Sequence, residues 1–205
     1  MPRWAISLLG IAVAALVASQ LLIPGIGEDR IGDRLTAGGG SAEVDLAAFP
    51  ALRLLFSDGD RLEVRARDLE LEVDEETEVL DRLDGFDSVD VSVADSSAGP
   101  FELESFALTR AGGDPYRLVS SGRTSAQALA DYGFETLGLP GGGLADLFLD
   151  RVLGDQGEAA VPVELDMQLT SDDGRLRVVS GGGTIAGIDA GPIAELLTAA
   201  IVVRL

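Results

Sequence analysis

Between Arg3 and Glu28 the chain carries no charged residue, and residues 4–23 within that stretch are apolar apart from two serines and one glutamine. At about 1.5 Å per residue, this run forms a helix about 30 Å long, which matches the hydrocarbon core of a bilayer. A helix that lacks a polar face has to be covered by apolar surroundings on every side. The run therefore predicts a transmembrane helix at residues 1–27, followed by a body at residues 28–205.

The charges that flank the run indicate its orientation. Arg3 precedes the run, whereas Glu28 and Asp29 follow it. Because basic residues tend to remain on the cytoplasmic side, we expect a single-pass protein of the cell membrane with a cytoplasmic N-terminus and an extracytoplasmic body. Two alternatives stay open: a cleaved signal peptide, which would leave the body secreted, and a buried core helix.

The composition excludes several classes of function. The chain has 15 basic and 35 acidic residues, which gives a net charge of −20 at pH 7. Binding to nucleic acid requires a basic surface, so we expect no nucleic-acid partner. The chain also contains no Cys, His or Lys. Their absence removes disulfides, thiolate and imidazole chemistry, Ser-His-Asp triads and Schiff bases.

Alternating apolar residues predict an α+β body built on a curved antiparallel sheet with one face in water. A slip in this alternation near Asp68 predicts a β-bulge or a bend in a long strand. Residues 171–174 predict a hairpin turn, and the glycines at 181–183 predict a break in the sheet. The predicted strands are residues 42–46, 61–73, 89–93, 101–108, 116–120, 161–170, 175–180, 184–188 and 201–205.

Breakers and caps predict where the helices begin and end. The proline and glycines at residues 24–27 are expected to end the membrane helix. Thr124 and Gln127 form a capping box, which predicts a helix just after them. The predicted short helices are residues 28–36, residues 49–56 with Pro50 in the first turn, residues 125–136, residues 144–153 and one that starts at Pro192.

Carboxylates are the abundant reactive groups, and they leave two possibilities open. An acid and base pair from the charged stretch at residues 74–78 would suit a glycan hydrolase, but such a stretch is usually a solvated surface. Asp58 with Asp60, and Asp172 with Asp173, lack the spacing of a calcium loop, and turn formation explains them. We therefore expect no catalytic residue, no metal or other cofactor, and no enzymatic activity.

Apolar residues in three predicted helices form the candidate site. Packing in the core of the sheet is the alternative role for them. Short apolar helices over a curved sheet also leave a groove for an acyl chain, which needs an apolar lining and almost no polar chemistry. The candidate lipid-binding residues are Phe49, Pro50, Leu52, Leu55, Phe56, Leu129, Phe134, Leu137, Leu144, Leu147 and Phe148.

The segment EVDLAAFPALRLLFSDGDRLEVRARDL, residues 43–69, follows the uncharged run and a short helix. It resembles the opening motif of the LmeA-like phospholipid-binding family of actinobacterial cell-envelope proteins. Residues 125–134 are similar to the central helix of that family, and residues 173–178 to its late strand. The matching positions of the opening motif are Phe49, Pro50, Leu52, Gly59, Val64, Arg67 and Leu69. The resemblance implies a β-rich fold similar to tubular lipid-binding domains, with phospholipid as the ligand.

Three hypotheses about function follow. The leading one is a membrane-anchored, extracytoplasmic, non-catalytic protein that binds a phospholipid or another acyl-chain ligand in the cell envelope. The second is an envelope scaffold that binds a protein partner and encloses no ligand. The third is a carboxylate-dependent glycan hydrolase, which would need two carboxylates about 5–9.5 Å apart in a cleft.

Overall fold

The chain folds around one large, open β-sheet. The computed structural model describes residues 3–72, 80–125, 128, 160–185, 188–189, 198, 201–202 and 204–205. Within these ranges the helices are α1 (Arg3–Leu35) and the single turn α2 (Asp81–Asp84), with 3-10 helices at Thr36–Gly38 and Ala51–Phe56 and further helical residues at Ile201 and Val202. The strands are β1 (Ser41–Ala47), β2 (Gly59–Arg67), β3 (Glu70–Leu71), β4 (Phe86–Ala98), β5 (Phe101–Ala111), β6 (Tyr116–Ser125), β7 (Ala160–Asp172), β8 (Arg175–Ile185) and β9 (Ile188–Asp189).

The strands follow one another in the order β1-β2-β4-β5-β6-β7-β8-β9, and β3 pairs with β4 beyond the end of β2. Neighbouring strands are antiparallel except that β2 and β3 run parallel to β4. The α+β class and the mainly antiparallel sheet are therefore confirmed. The parallel pair was not predicted, because side-chain alternation shows which face a residue occupies and does not show the direction of its neighbour.

One face of the sheet is buried and the other is wet, as the alternation predicted. The buried side chains of β7 are Val163, Leu165, Met167 and Leu169. Glu164 and Asp166, which alternate with them, are exposed. The hydrophobic core lies on the buried face and also contains Leu35 from the end of α1.

The slip in alternation near Asp68 corresponds to a bend that crosses three neighbouring strands. Asp68 has φ 56° and Asp95 of β4 has φ 48°, and the pairing of β5 with β6 shifts register between Leu103 and Ser105. Leu69 donates its N–H to Ser96 Oγ (3.0 Å) at this point. The predicted bend is confirmed, and it involves the adjacent strands as well as the one in which it was expected.

Helix α1 does not end at Pro24, so the predicted break at residues 24–27 is wrong. A proline removes one helical hydrogen bond, and here contacts with the sheet hold the helix beyond it. Gly27 lies so close to β1 that an added Cβ would stand 2.7 Å from Leu46 Cδ1. Next to it, Glu28 Oε1 accepts a hydrogen bond from Leu46 N at 3.0 Å.

The second half of α1 is amphipathic, as expected for residues 28–36. Leu35 is fully buried, and Ile31, one turn earlier, packs against the same core. The described part of the chain contains no helix with both the length and the apolarity that crossing a bilayer requires. The membrane anchor at residues 1–27 therefore stays a prediction.

Three other predicted boundaries are wrong. Strand β8 continues through residues 181–183, because the glycines permit close approach to β7: a Cβ on Gly183 would stand 2.4 Å from Glu164 O. Ile201 and Val202 are helical and not part of a strand, since a short, fully buried apolar run fits either structure. Thr124 is the second-last residue of β6, and its Oγ1 donates to Pro100 O (2.9 Å); Gln127, its expected partner in the capping box, lies outside the described residues.

Pro50 also differs from its prediction, because it precedes the helix at Ala51–Phe56 and has extended backbone angles. That segment is a 3-10 helix and not an α-helix. Nearly all of the helices predicted at residues 125–136, at residues 144–153 and from Pro192 lie outside the described residues.

Candidate functional site

A cavity of about 430 Å³ lies between the second half of α1 and the first strands of the sheet. Residues Ile23, Gly27 and Ile31 of α1 line one wall, because residues four apart share one face of a helix. The opposite wall comes from the sheet and includes Leu62 and Phe86. The sequence therefore builds the cavity from an apolar helix face that crosses apolar strands.

Three arginines line the same cavity. Arg30 and Arg34 lie one turn apart on α1, and Arg82 comes from α2. The structure shows no ion pair for Arg30 or Arg34 among the residues it describes, and both are exposed. A guanidinium group is always charged and presents donors in a planar fork that matches carboxylate or phosphate oxygens. The cavity thus combines apolar walls with a cationic rim.

Beside the cavity, four apolar side chains of the loop around the 3-10 helix Ala51–Phe56 point into solvent. We call this group the apolar tip; it consists of Phe49, Leu52, Leu55 and Phe56. Their exposed fractions are 71%, 46%, 66% and 81%, respectively. Leu55 also lines the cavity, so the tip and the cavity adjoin.

The backbone of the apolar tip is held by Arg53. Its guanidinium donates to both carboxylate oxygens of Asp58 (2.7 and 2.9 Å) and to Asp60 Oδ1 (2.6 Å). The other oxygen of Asp60 accepts the N–H of Phe49 at 2.8 Å. Asp58 and Asp60, which the sequence predicts to form a turn, are therefore both ion-paired with an arginine.

These hydrogen bonds hold the pKa of Asp58 below its ordinary value and raise that of Arg53. Asp58 has an ordinary pKa of about 3.9. The pKa of Asp58 is lower in the folded than in the unfolded protein, so its ionised carboxylate stabilises the apolar tip fully above about pH 3.9. This stabilisation is lost as the pH falls through the pKa of the folded protein. The apolar tip is thus expected to keep this hydrogen-bonded conformation at neutral pH and to lose it only in acid.

Replacing Arg53 by glutamine is expected to raise the pKa of Asp58 toward 3.9, since the main hydrogen-bond donor is lost. An NMR titration of the Asp58 carboxyl carbon in the full chain would measure this shift. Arg177→Gln is the matched control, because Arg177 pairs with Asp172 at the hairpin between β7 and β8. Equal Asp58 titrations in wild type and Arg53→Gln would contradict the prediction.

The structure divides the predicted site residues into two groups. Leu55 lines the cavity, whereas Phe49, Pro50, Leu52 and Phe56 are exposed beside it. The remaining six lie outside the described residues, namely Leu129, Phe134, Leu137, Leu144, Leu147 and Phe148. The other lining residues of the cavity, from α1 and the first strands, were not among the predicted site residues.

Arg30 and Arg34 were not placed beside Ile23 and Gly27 because the membrane helix was expected to end at residues 24–27, with a separate helix at residues 28–36. If the helix continues through Pro24, its period places Ile23, Gly27 and Ile31 on one face and Arg30 and Arg34 beside that face. That pattern was the available signal. Contacts of Leu62 and Phe86 with this face depend on the tertiary fold and leave no local pattern.

A second depression, of about 530 Å³, lies near the turns that join β5 to β6 and β7 to β8. Its carboxylate Asp84 accepts hydrogen bonds from Tyr116 Oη (2.9 Å), from Arg110 Nη1 (3.3 Å) and from Ser171 Oγ. Burial raises the pKa of the Tyr116 hydroxyl above its usual value. Among the described residues no group of acidic side chains is arranged to hold a metal ion. This network connects α2 to the sheet.

Comparisons with protein-family models, with curated proteins and with solved structures give no significant match. The resemblance to the LmeA-like family therefore stays a prediction. The function has to be inferred from the cavity, its arginines and the apolar tip.

Proposed function

We propose that the protein is a non-catalytic phospholipid-binding protein of the cell envelope. In this proposal residues 1–27 anchor it in the cell membrane with the N-terminus in the cytoplasm, and the body works on the extracytoplasmic side. The observation that carries the proposal is the cavity between α1 and the sheet, because the helix that forms its wall is the continuation of the uncharged run.

The size and lining of the cavity suit an acyl chain. Its volume of about 430 Å³ lies within the range of about 300–1,000 Å³ that is usual for ligand sites. Leu46, Leu62 and Phe86 provide apolar walls that need no catalytic group. Each methylene that moves from water into such surroundings contributes about 0.8 kcal/mol, so a partly enclosed chain supplies the binding free energy.

The order of the lining residues along α1 suits a phospholipid better than a fatty chain alone. Ile23 and Ile26 lie nearest the uncharged run, and Arg30 and Arg34 follow about 10–16 Å beyond Ile23. A phospholipid has an apolar tail and an anionic phosphate, which the arginine forks bind well. In this arrangement the tail would lie toward the membrane and the phosphate toward the arginines.

Replacing Arg30 and Arg34 together by glutamine is expected to weaken binding of phosphatidylglycerol about tenfold, which corresponds to about 1.4 kcal/mol from two exposed charges. Fluorescence anisotropy of a labelled phosphatidylglycerol with the full chain in amphipol would measure this loss. Arg123→Gln is the matched control, because Arg123 is half exposed on β6 and remote from the cavity.

The proposal fails if the full chain binds no labelled phosphatidylglycerol and releases no lipid in native mass spectrometry. Equal affinities for wild type and the double variant would show that the arginines do not contact the phosphate. The second hypothesis, a scaffold that encloses no ligand, predicts that the chain neither binds labelled phosphatidylglycerol nor releases lipid.

A further inference from the structure

Large apolar side chains are exposed mainly in one region of the described structure. Four of them, Leu16, Val17, Leu22 and Ile26, lie on α1, and four more form the apolar tip. Among the described side chains, the other exposed large hydrophobic residues are three valines, Val119, Val178 and Val179. Clusters of exposed apolar residues usually mark a contact surface for a partner or a membrane.

The two groups adjoin, because α1 contacts the 3-10 helix directly. Gln20 links α1 to the chain around the apolar tip through two hydrogen bonds. In the amide orientation that satisfies both atoms, its nitrogen donates to Ala48 O (3.2 Å) and its oxygen accepts from Ala51 N (2.9 Å). Gln20 is the one amide in the uncharged run, so the tip is attached to α1 within that run.

The charge beside the tip is confined to one ion-paired cluster. Residues 46–57 contain a single charged side chain, Arg53, which is paired with Asp58 and Asp60. The rest of the body is strongly acidic, and an anionic bilayer would repel it. A preformed apolar loop whose one charged side chain is ion-paired is therefore the part of the body best suited to enter a lipid surface.

We propose that Phe49, Leu52, Leu55 and Phe56 insert into the outer leaflet of the bilayer beside α1. The occupant of this surface is the lipid bilayer, because the tip is fixed to Gln20 within residues 4–23, the segment predicted to cross it. A lipid leaflet that surrounds α1 at the depth of Gln20 therefore also surrounds the apolar tip. Leu55 and Ile26 belong to both the exposed surface and the cavity, so insertion opens the cavity toward the leaflet.

Single-cysteine labelling tests this insertion in the full chain, which contains no native cysteine. An environment-sensitive nitrobenzoxadiazole label is placed by Phe56→Cys, by Val17→Cys on α1 and, as the control, by Thr109→Cys on the exposed face of β5. Each protein is reconstituted in vesicles of phosphatidylcholine and phosphatidylglycerol, with and without lipids that carry a doxyl quencher on the acyl chain.

The Phe56 label is expected to lose most of its emission to the doxyl lipids, because an inserted loop lies about 5–10 Å into the boundary of headgroups and acyl chains. The Thr109 label is expected to remain unquenched. Since Phe56 is 81% exposed, its replacement leaves the core intact. Leu52→Cys provides a second position on the tip.

An unquenched label at both Phe56 and Leu52 would overturn the proposal, whatever the Val17 label shows. Shielding of these labels from aqueous iodide without quenching by lipid would assign the surface to contact with another copy of the chain and would also overturn the proposal. Quenching at Phe56 without quenching at Val17 would support insertion of the tip and contradict the anchor. The proposal does not depend on lipid binding in the cavity, and Arg30→Gln with Arg34→Gln is expected to leave the quenching unchanged.

Discussion

Replacing Arg110 by alanine is expected to lower the free energy of unfolding by about 1.5–3 kcal/mol, the usual contribution of hydrogen bonds to a charged group. The Arg110 side chain is 11% exposed. Its Nη2 donates to the carbonyl oxygens of Leu83 (3.0 Å), Asp84 (3.2 Å) and Phe86. The guanidinium carbon also lies 4.5 Å from the centre of the Tyr116 ring, a cation–π contact.

The physical reason for this large effect is the number of acceptors that would lose a charged donor at once. The three carbonyls and the carboxylate of Asp84 belong to the segment between α2 and the start of β4. Alanine cannot satisfy them, and water would have to enter beside Tyr116, which is 2% exposed. Asp84 would keep its hydrogen bond from the Tyr116 hydroxyl and lose its cation.

Urea unfolding of the full chain in detergent, followed by circular dichroism, would measure the change. Arg123→Ala is the matched control, since Arg123 makes exposed ion pairs with Glu102 and Glu104 at 4.0 and 3.5 Å. Such pairs contribute about 0–1 kcal/mol. Equal midpoints for the Arg110 and Arg123 variants would show that Arg110 does not hold α2 to the sheet.

Replacing Leu35 by alanine is expected to cost about 2–5 kcal/mol, the range for truncating a buried leucine. Leu35 is fully buried at the end of α1 and belongs to the same core as Leu62 and Val64 of β2. Its loss removes the contact that buries the end of α1 in the core. The wall of the cavity that Ile31 provides is then expected to loosen as well.

Hydrogen exchange at the Leu46 amide would report this loosening, because Leu46 N donates to Glu28 of α1 at 3.0 Å. Exchange at that amide is expected to accelerate in Leu35→Ala. Ile26→Ala is the matched control on the same helix, since Ile26 is 51% exposed and a surface truncation changes stability by about 0.5 kcal/mol or less. Unchanged exchange in Leu35→Ala would show that α1 docks without this residue.

Most of the described strands could be predicted from the chain, since a residue on a half-buried strand must alternate between core and water. The alternation at residues 161–170 defined β7, and its slip near Asp68 located the bend. Asp173 and Gly174, with φ of 52° and 80°, form the predicted hairpin turn. Each of these features depends on neighbouring residues in the chain, so each leaves a local pattern.

The wrong predictions concern segments whose structure depends on residues distant in the chain. Pro24 and the glycines at 181–183 are local breakers, yet α1 and β8 continue through them because contacts with β1 and β7 offset the local cost. Ile201 and Val202 are buried on every side, so their apolar run did not distinguish a helix from a strand. In each case a tertiary contact outweighed the local preference.

The candidate site likewise combines features that are visible in the sequence with features that depend on the tertiary fold. The uncharged run, the acidic body without Cys, His or Lys, and the apolar residues at 49–56 could all be read from the chain, because they are properties of composition and local order. The fold, in contrast, was needed to show that Arg30, Arg34 and Arg82 share a cavity with Leu62 and Phe86, and that Arg53 holds the apolar tip beside Gln20. These groups are distant in the chain, and only the packing of α1 on the sheet brings them together.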